Sequence, residues 1–190
     1  MHLSNHDRVR AMRWREAGLE VLDQRLLPDR TEYRLCTSAD DVAQAITTMQ
    51  VRGAPAIGIA AAYGVVLAAR RRYRQDSLNW RRHIQADLDR LARSRPTAVN
   101  LFWALERMQR LFDRIDGDPY PPLLAEAESI HQEDIRANRT MGRLGAEIVG
   151  RPDGVLTHCN TGSLATGGFG TALGVIRTLW QRHPGFSVFA

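Results

Sequence analysis

The run GAPAIGIAAAYGVVLAA, from Gly53 to Ala69, contains no charged residue, and Arg70, Arg71, Arg72 and Arg74 follow it at once. A segment of this kind must leave water, so whatever else the chain does has to be built around it. It falls short of the ~20 apolar residues that span a bilayer. Its many alanines and glycines suit a helix approached closely by others. Pro55 fits the first turn of such a helix, where no N–H is needed, and the arginines complement the carbonyl end of its dipole. A central buried helix is the expectation, with no membrane role.

The flanking segments supply its partners. MRWREAGLEVLDQRLLP and TEYRLC read as short strands with a turn at Ala17-Gly18. Ser38 and Asp41 have the spacing of a capping box ahead of a helix with Val42, Ala45, Ile46 and Met49 on one face. DSLNWRRHIQADLDRLARSRP reads as one amphipathic helix ending before Pro96. A second follows, with Leu101, Leu105, Met108, Phe112 and Ile115 spaced by three and four. After the break DGDPYPP, a long polar helix is expected from Pro122 to about Val149, with Asp134 and Asn138 one turn apart.

The character changes at Arg151-Pro152-Asp153-Gly154. In GVLTHCNTGSLATGGFGTALGVIR, Val155 and Leu156 belong to a buried strand closed by Cys159. A loop of small residues follows, and Ala172, Leu173, Val175, Ile176 and Leu179 return at helical spacing. GFSVFA then reads as a second strand. The fold class expected is α+β passing into α/β. Residues 1–150 would form a mostly helical N-terminal domain with a short N-terminal β region. Residues 151–190 would be the opening strand–loop–helix–strand of a Rossmann-like parallel α/β domain, truncated before its sheet is covered on both faces.

Composition excludes some chemistry. The net charge is +5, yet every basic residue is arginine and lysine is absent. A P-loop and Schiff-base catalysis both need lysine. The densest arginine cluster falls at a helix end, so nucleic acid is not expected as a partner. The six histidines have no ligand-like spacing, and the two cysteines, Cys36 and Cys159, form no C-x-x-C pair; no metal and no cofactor are expected. The charged start lacks an apolar segment, which with the free cysteines points to a cytoplasmic protein.

Three places carry candidate chemistry. Arg52 in VRGAP and Arg95 in SRPTAVN each stand just before a helix start, beside a proline, where a guanidinium and free backbone N–H groups together suit a phosphate. Cys159 lies where α/β proteins place ligands. His158 is a poor base for it if both remain on a strand, because neighbours on a strand face opposite ways. GFGTALG has leucine where a dinucleotide fingerprint needs its third glycine, and reads equally as a tight turn or as a ligand-facing loop.

The blocks LDQRLLP, MQVRGAPAIGIAAAYGVVLAA, RPTAVNLFWAL, HQEDIRANRTMG and LTHCNTGSLATGGFGTALGVIR, in this order, resemble the methylthioribose-1-phosphate isomerase family over essentially the whole chain. That family is part of a wider group with ribose-1,5-bisphosphate isomerase and the regulatory subunits of a translation-initiation nucleotide exchange factor. The resemblance implies an aldose–ketose isomerisation of 5-methylthioribose 1-phosphate in methionine salvage, by a homodimer. It implies that Arg52, Gly53, Ala54 and Arg95 bind the sugar phosphate and that Cys159 is catalytic, assisting the transition state. The family's catalytic aspartate has no match here; neither Asp134 nor Asp153 corresponds to it. The alternatives are a non-catalytic regulatory relative that binds a sugar phosphate or nucleotide, and an isomerase of another ribose phosphate.

Overall fold

Three antiparallel strands lead the computed structural model, which describes residues 9–190; the charged start considered above lies partly outside them. Strand β1 (Met12–Arg15) pairs with β2 (Gly18–Leu22), and β2 with β3 (Tyr33–Cys36), in the register Met12↔Val21 and Leu19↔Cys36. Met12, Leu19, Val21 and Cys36 are all buried, so one face of the small sheet closes on the core. The chain turns at Glu16 and Ala17, one residue earlier than the sequence predicts. Gly18 is then the first residue of β2, where a Cβ would stand 2.2 Å from the Cys36 carbonyl oxygen.

Helix α1 (Ala39–Thr47) carries the predicted capping box: Asp41 N–H donates to Ser38 Oγ at 3.2 Å, and Ser38 N–H donates to Asp41 Oδ2 at 2.9 Å. Val42, Ala45 and Ile46 are buried, but Met49 is not. It lies past the helix end at φ 60, which swings its side chain off the apolar face, and Val51 fills the core instead. The uncharged run forms α2 (Ala54–Gln75), buried at every residue from Ala56 to Ala69. Pro55 is its second residue. Arg72 and Arg74 fall in its last turn, and Arg72 Nε donates to Asp87 Oδ2 at 2.6 Å.

The single helix expected before Pro96 is two, α3 (Trp80–His83) and α4 (Gln85–Ala92), interrupted at Ile84. Hydrogen bonds still run from Ile84 N–H to Trp80 O and from Leu88 N–H to Ile84 O, so the interruption is slight and Trp80, Ile84, Leu88 and Leu91 all face inward. Helix α5 (Val99–Gln109) stops before Phe112 and Ile115. Those two are buried from a tight turn at Phe112–Arg114, where Phe112 meets the edge of Trp80.

Helix α6 (Tyr120–Val149) begins two residues earlier than predicted, with Pro121 and Pro122 in its first turn. Its 30 residues extend about 45 Å, enough to serve two cores. Leu123, Ala127 and Ile130 join the main cluster around α2, whereas Ala146 belongs to a second one with Ile176, Leu179 and Phe186. After α6 come β4 (Gly154–Leu156), α7 (Ala172–Arg182) and β5 (Ser187–Phe189); Ile176 and Leu179 of the second cluster lie on α7, Phe186 just before β5, and Val155 of β4 packs against it half-buried. The two strands are parallel, with Gly154 opposite Ser187. The fold is therefore a largely helical body with a small β-sheet, followed by a parallel strand–loop–helix–strand unit. Strand β4 departs from expectation: Val155 is half-buried and Leu156 is 79% exposed. A two-stranded sheet covered by one helix shields one face only.

Candidate active site

Two helix starts converge on one groove. Its volume is about 420 Å³, and Pro55, Gly58 and Ile59 of α2, Val99, Asn100 and Trp103 of α5, and Asp134 of α6 line it. Helices α2 and α5 come together closely because Gly58 has no side chain; a Cβ there would be 2.7 Å from the Asn100 carbonyl oxygen. Arg52 stands exposed just before α2, and Arg95, half-buried, stands just before α5. Neither guanidinium has an ion-pair or hydrogen-bond partner among the described residues. At the start of α2 the Ala54 and Ala56 N–H groups have no carbonyl four residues back, and Pro55 has none to satisfy. The unpartnered arginines and the free amides at the start of α2 favour an anion beside the helix starts, whereas Glu133 and Asp134 line the groove on its α6 side.

Gly53 links the start of α2 to the loop that follows β4. It has φ 99, and a Cβ on it would lie 2.4 Å from the Ala165 carbonyl oxygen and 2.5 Å from its Cα. Only glycine permits both the backbone angle and the approach. Of the predicted site residues, Gly53 therefore abuts the loop, Ala54 follows it as the exposed first residue of α2, and Arg52 and Arg95 precede the two helices whose starts line the groove, without lining it themselves. No hydrogen bond joins Cys159 to Arg52 or Arg95.

Cys159 lies elsewhere than expected. Strand β4 ends at Leu156, so Cys159 is in the loop, exposed, with φ 76. The chain has already turned at this point, and strand alternation no longer separates it from His158. Cys36 offers the contrast: buried on β3, its thiol is pushed up to about 11 by desolvation. At neutral pH it is a small apolar packing residue.

The loop has an exposed head, residues 158–160, and a buried foot, where Ser163 and residues 165–170 are inaccessible. Its neck is closed by Thr171 N–H donating to Thr161 O at 2.9 Å. The glycine-rich foot is the tight-turn alternative of the two that the sequence left open. Gly170, at φ 86, would place a Cβ 2.7 Å from Thr161 O, and a Cβ on Gly167 would be 2.7 Å from His131 Cδ2. These glycines meet protein rather than open space.

Sequence reasoning passed over a buried polar cluster beneath the foot. His131 Nε2 is 2.9 Å from Gly167 O, and its Nδ1 is 3.2 Å from the Tyr63 hydroxyl, while Tyr63 stacks on Trp14. Asp134 Oδ2 accepts from Gly167 N–H at 2.6 Å and from Asn138 Nδ2 at 3.0 Å. Burial lowers the His131 pKa and raises that of Asp134. The spacing of Asp134 and Asn138 was a visible signal. The role of His131 was not, because its partner is 36 residues away in sequence.

A family model described as the initiation factor 2 subunit family matches residues 50–190. Among curated proteins, the methylthioribose-1-phosphate isomerases of Methylococcus capsulatus and Nitrosococcus oceani are 62% and 56% identical to the chain over 96% and 98% of its length, which corresponds to 52% and 54% of theirs. The solved structure of 5-methylthioribose 1-phosphate isomerase from Pyrococcus horikoshii OT3 superposes with a TM-score of 0.87 at 35% identity, covering 96% of this chain and 52% of that one. That of the translation initiation factor eIF-2B, subunit delta, from A. fulgidus gives 0.82 at 41% identity, covering 92% and 52%. The chain spans about half the length of the curated relatives it matches. The matched residues take in both the groove-facing start of α2 and the loop from β4 to α7, and the chain belongs to the initiation factor 2 subunit family.

Proposed function

We propose that the chain carries the phosphate-binding part and one catalytic residue of an aldose–ketose isomerase that converts 5-methylthioribose 1-phosphate to 5-methylthioribulose 1-phosphate. The observation that carries this is the convergence of two arginine-preceded helix starts on one groove, beside a loop that presents an accessible cysteine. In this reading Arg52, the Gly53 and Ala54 backbone and Arg95 grip the phosphate. The phosphate on the anomeric oxygen blocks simple opening of the sugar to an aldehyde. Holding it firmly orients the ring while a hydrogen moves between neighbouring carbons, and Cys159 assists the transition state. Residues 1–150 and 151–190 act as two domains, and the working enzyme is a cytoplasmic homodimer. The names of the relatives at 53–62% identity support this substrate.

The test joins the chain in frame to the C-terminal half of the Methylococcus capsulatus relative and assays turnover of 5-methylthioribose 1-phosphate. The fusion should be active and the 190-residue chain alone inactive. Cys159→Ser should lower kcat far more than it raises KM. Arg52→Ala and Arg95→Ala should each raise KM by roughly 30- to 150-fold, the equivalent of about 2–3 kcal/mol for a charged hydrogen bond. Unchanged kinetics in all three variants would overturn the assignment. A second reading, a regulatory protein that binds without isomerising, is favoured by the 41% identity to the A. fulgidus protein, titled as a subunit of an initiation factor. It predicts tight phosphate-ligand binding and no turnover by the fusion.

A further inference from the structure

The cluster formed by Tyr63, His131, Asp134 and Asn138 is unused by the chemistry proposed above, yet it lies directly under the loop. Gly167 is held on both of its polar sides. Its N–H donates to Asp134 Oδ2 at 2.6 Å, and its carbonyl lies 2.9 Å from His131 Nε2. A carbonyl can only accept, so Nε2 carries the proton, and Nδ1 accepts from the Tyr63 hydroxyl at 3.2 Å. His131 and Asp134 are three residues apart on α6, which puts them on one face of the helix, and Asn138 one turn on braces Asp134 Oδ2 at 3.0 Å. The fit around Gly167 is close: a Cβ there would be 2.7 Å from His131 Cδ2 and 3.0 Å from both Asp134 Oδ2 and Ile59 Cδ1.

The same loop is held at further points, among them the Phe169 carbonyl, which accepts from Arg177 Nη1 at 2.8 Å. Gln24 Nε2 donates to the Leu164 carbonyl at 2.9 Å, Ala165 backs Gly53, and Thr166 Oγ1 accepts from Gly168 N–H at 3.1 Å. The Gly167 hold ties the loop to α6 by hydrogen bonds in which Gly167, His131 and Asn138 are buried and Asp134 is half-buried at the edge of the groove. His131 and Asn138 are 9% and 3% exposed. Breaking it leaves a buried N–H or C=O unpaired, which costs more than the bond itself contributes.

We infer that Asp134 and His131 are positioning residues of this site: they clamp the peptide groups of Gly167, and through the loop they keep the Cys159 end and the Gly53 start of α2 in one fixed relation. The inference rests on the function proposed above only for what is being positioned.

The test uses the 190-residue chain without substrate. In Asp134→Ala, amide exchange across residues 163–170 should accelerate on the order of tenfold or more. The rate of Cys159 alkylation by iodoacetamide should change severalfold, and exchange within Ala56–Ala69 should keep its wild-type rate. Asp134→Asn retains a carbonyl oxygen for the Gly167 N–H and should restore both quantities. Should Asp134→Ala not fold, Tyr63→Phe, which frees the far side of His131, carries the same expectation with a smaller effect. Unchanged loop exchange and thiol reactivity would overturn the inference, as would equal acceleration in α2, which would mark a general loss of stability. In the active fusion, Asp134→Ala should lower kcat/KM about tenfold with recovery in Asp134→Asn. A loosened loop with unimpaired turnover would leave the clamp standing and reject the loop's part in the proposed reaction.

Discussion

Cys36 and Cys159 are the same residue in two environments, and the difference decides their chemistry. Cys159 is exposed at the loop head, whereas Cys36 is buried with its pKa raised to about 11. Iodoacetamide at neutral pH should therefore label Cys159 in the folded protein and reach Cys36 only after denaturation, as peptide mass mapping would show. His131 leads to a prediction on pH. Desolvation depresses its folded pKa below the ordinary 6.5, so the unfolded chain binds the proton more readily. Its contribution to stability is complete above about pH 6.5 and is lost as pH falls from there through the folded value. Asp134 acts in the opposite sense: burial raises its folded pKa, so its contribution grows as pH falls through that raised value towards 3.8. Denaturant melts between pH 7.5 and 5 should show falling stability in the wild type and a flatter profile in His131→Gln. The reverse order would contradict a buried neutral imidazole.

At the scale of elements, local chemistry sets where helices start, and close approach sets where they meet. The Ser38–Asp41 capping box satisfies N–H groups at both ends of the first turn of α1. Ser38→Ala should cost about 1 kcal/mol in chemical denaturation without altering the loop. Gly53 makes a different kind of contribution. Any side chain there meets the Ala165 backbone at 2.4 Å and an unfavourable φ of 99, so Gly53→Ala must separate α2 from the loop. We expect a loss of roughly 2–4 kcal/mol, combining backbone strain and overpacking. A smaller loss of under about 0.5 kcal/mol would show that the loop yields freely. Between α5 and α6, Arg107 bridges Glu126 and Glu133, and this pairing holds the Glu133 carboxyl down to about 2.

The whole molecule is graded in cohesion from its first core to its second. The main cluster surrounds α2 and recruits residues from strands β1 to β3 and helices α1 to α6, whereas the second contains four buried residues between α6, α7 and the segment before β5. Beyond it, Leu156, Val188 and Phe189 are 79%, 44% and 59% exposed. Hydrogen exchange should accordingly be slowest in Ala56–Ala69, intermediate in α7, and fastest in β4 and β5. Equal protection from Ala56 through Phe189 would mean that the two clusters open as one unit. Among the described residues no helix is long and apolar enough to cross a membrane, which agrees with α2 serving as the centre of a protein core.

Much of this architecture was legible from residue order alone, because it rests on local rules. Uncharged Gly53–Ala69 had to be buried, Ser38 and Asp41 had to begin a helix, and the change of periodicity after Gly154 marked a strand–loop–helix–strand unit. Arg52 and Arg95 could be recognised as the residues ahead of two helices for the same reason. What escaped was everything that depends on distance through space. Met49 turned outward, Leu156 lay on the uncovered face of its sheet, and Cys159 had left its strand. The glycine-rich loop looked equally suited to a ligand and to packing until His131 and Asp134 were seen against Gly167. Periodicity records which face of an element is apolar, but it does not record what that face meets. Those identities are settled by which distant segments fit together without a clash or an unpaired polar group.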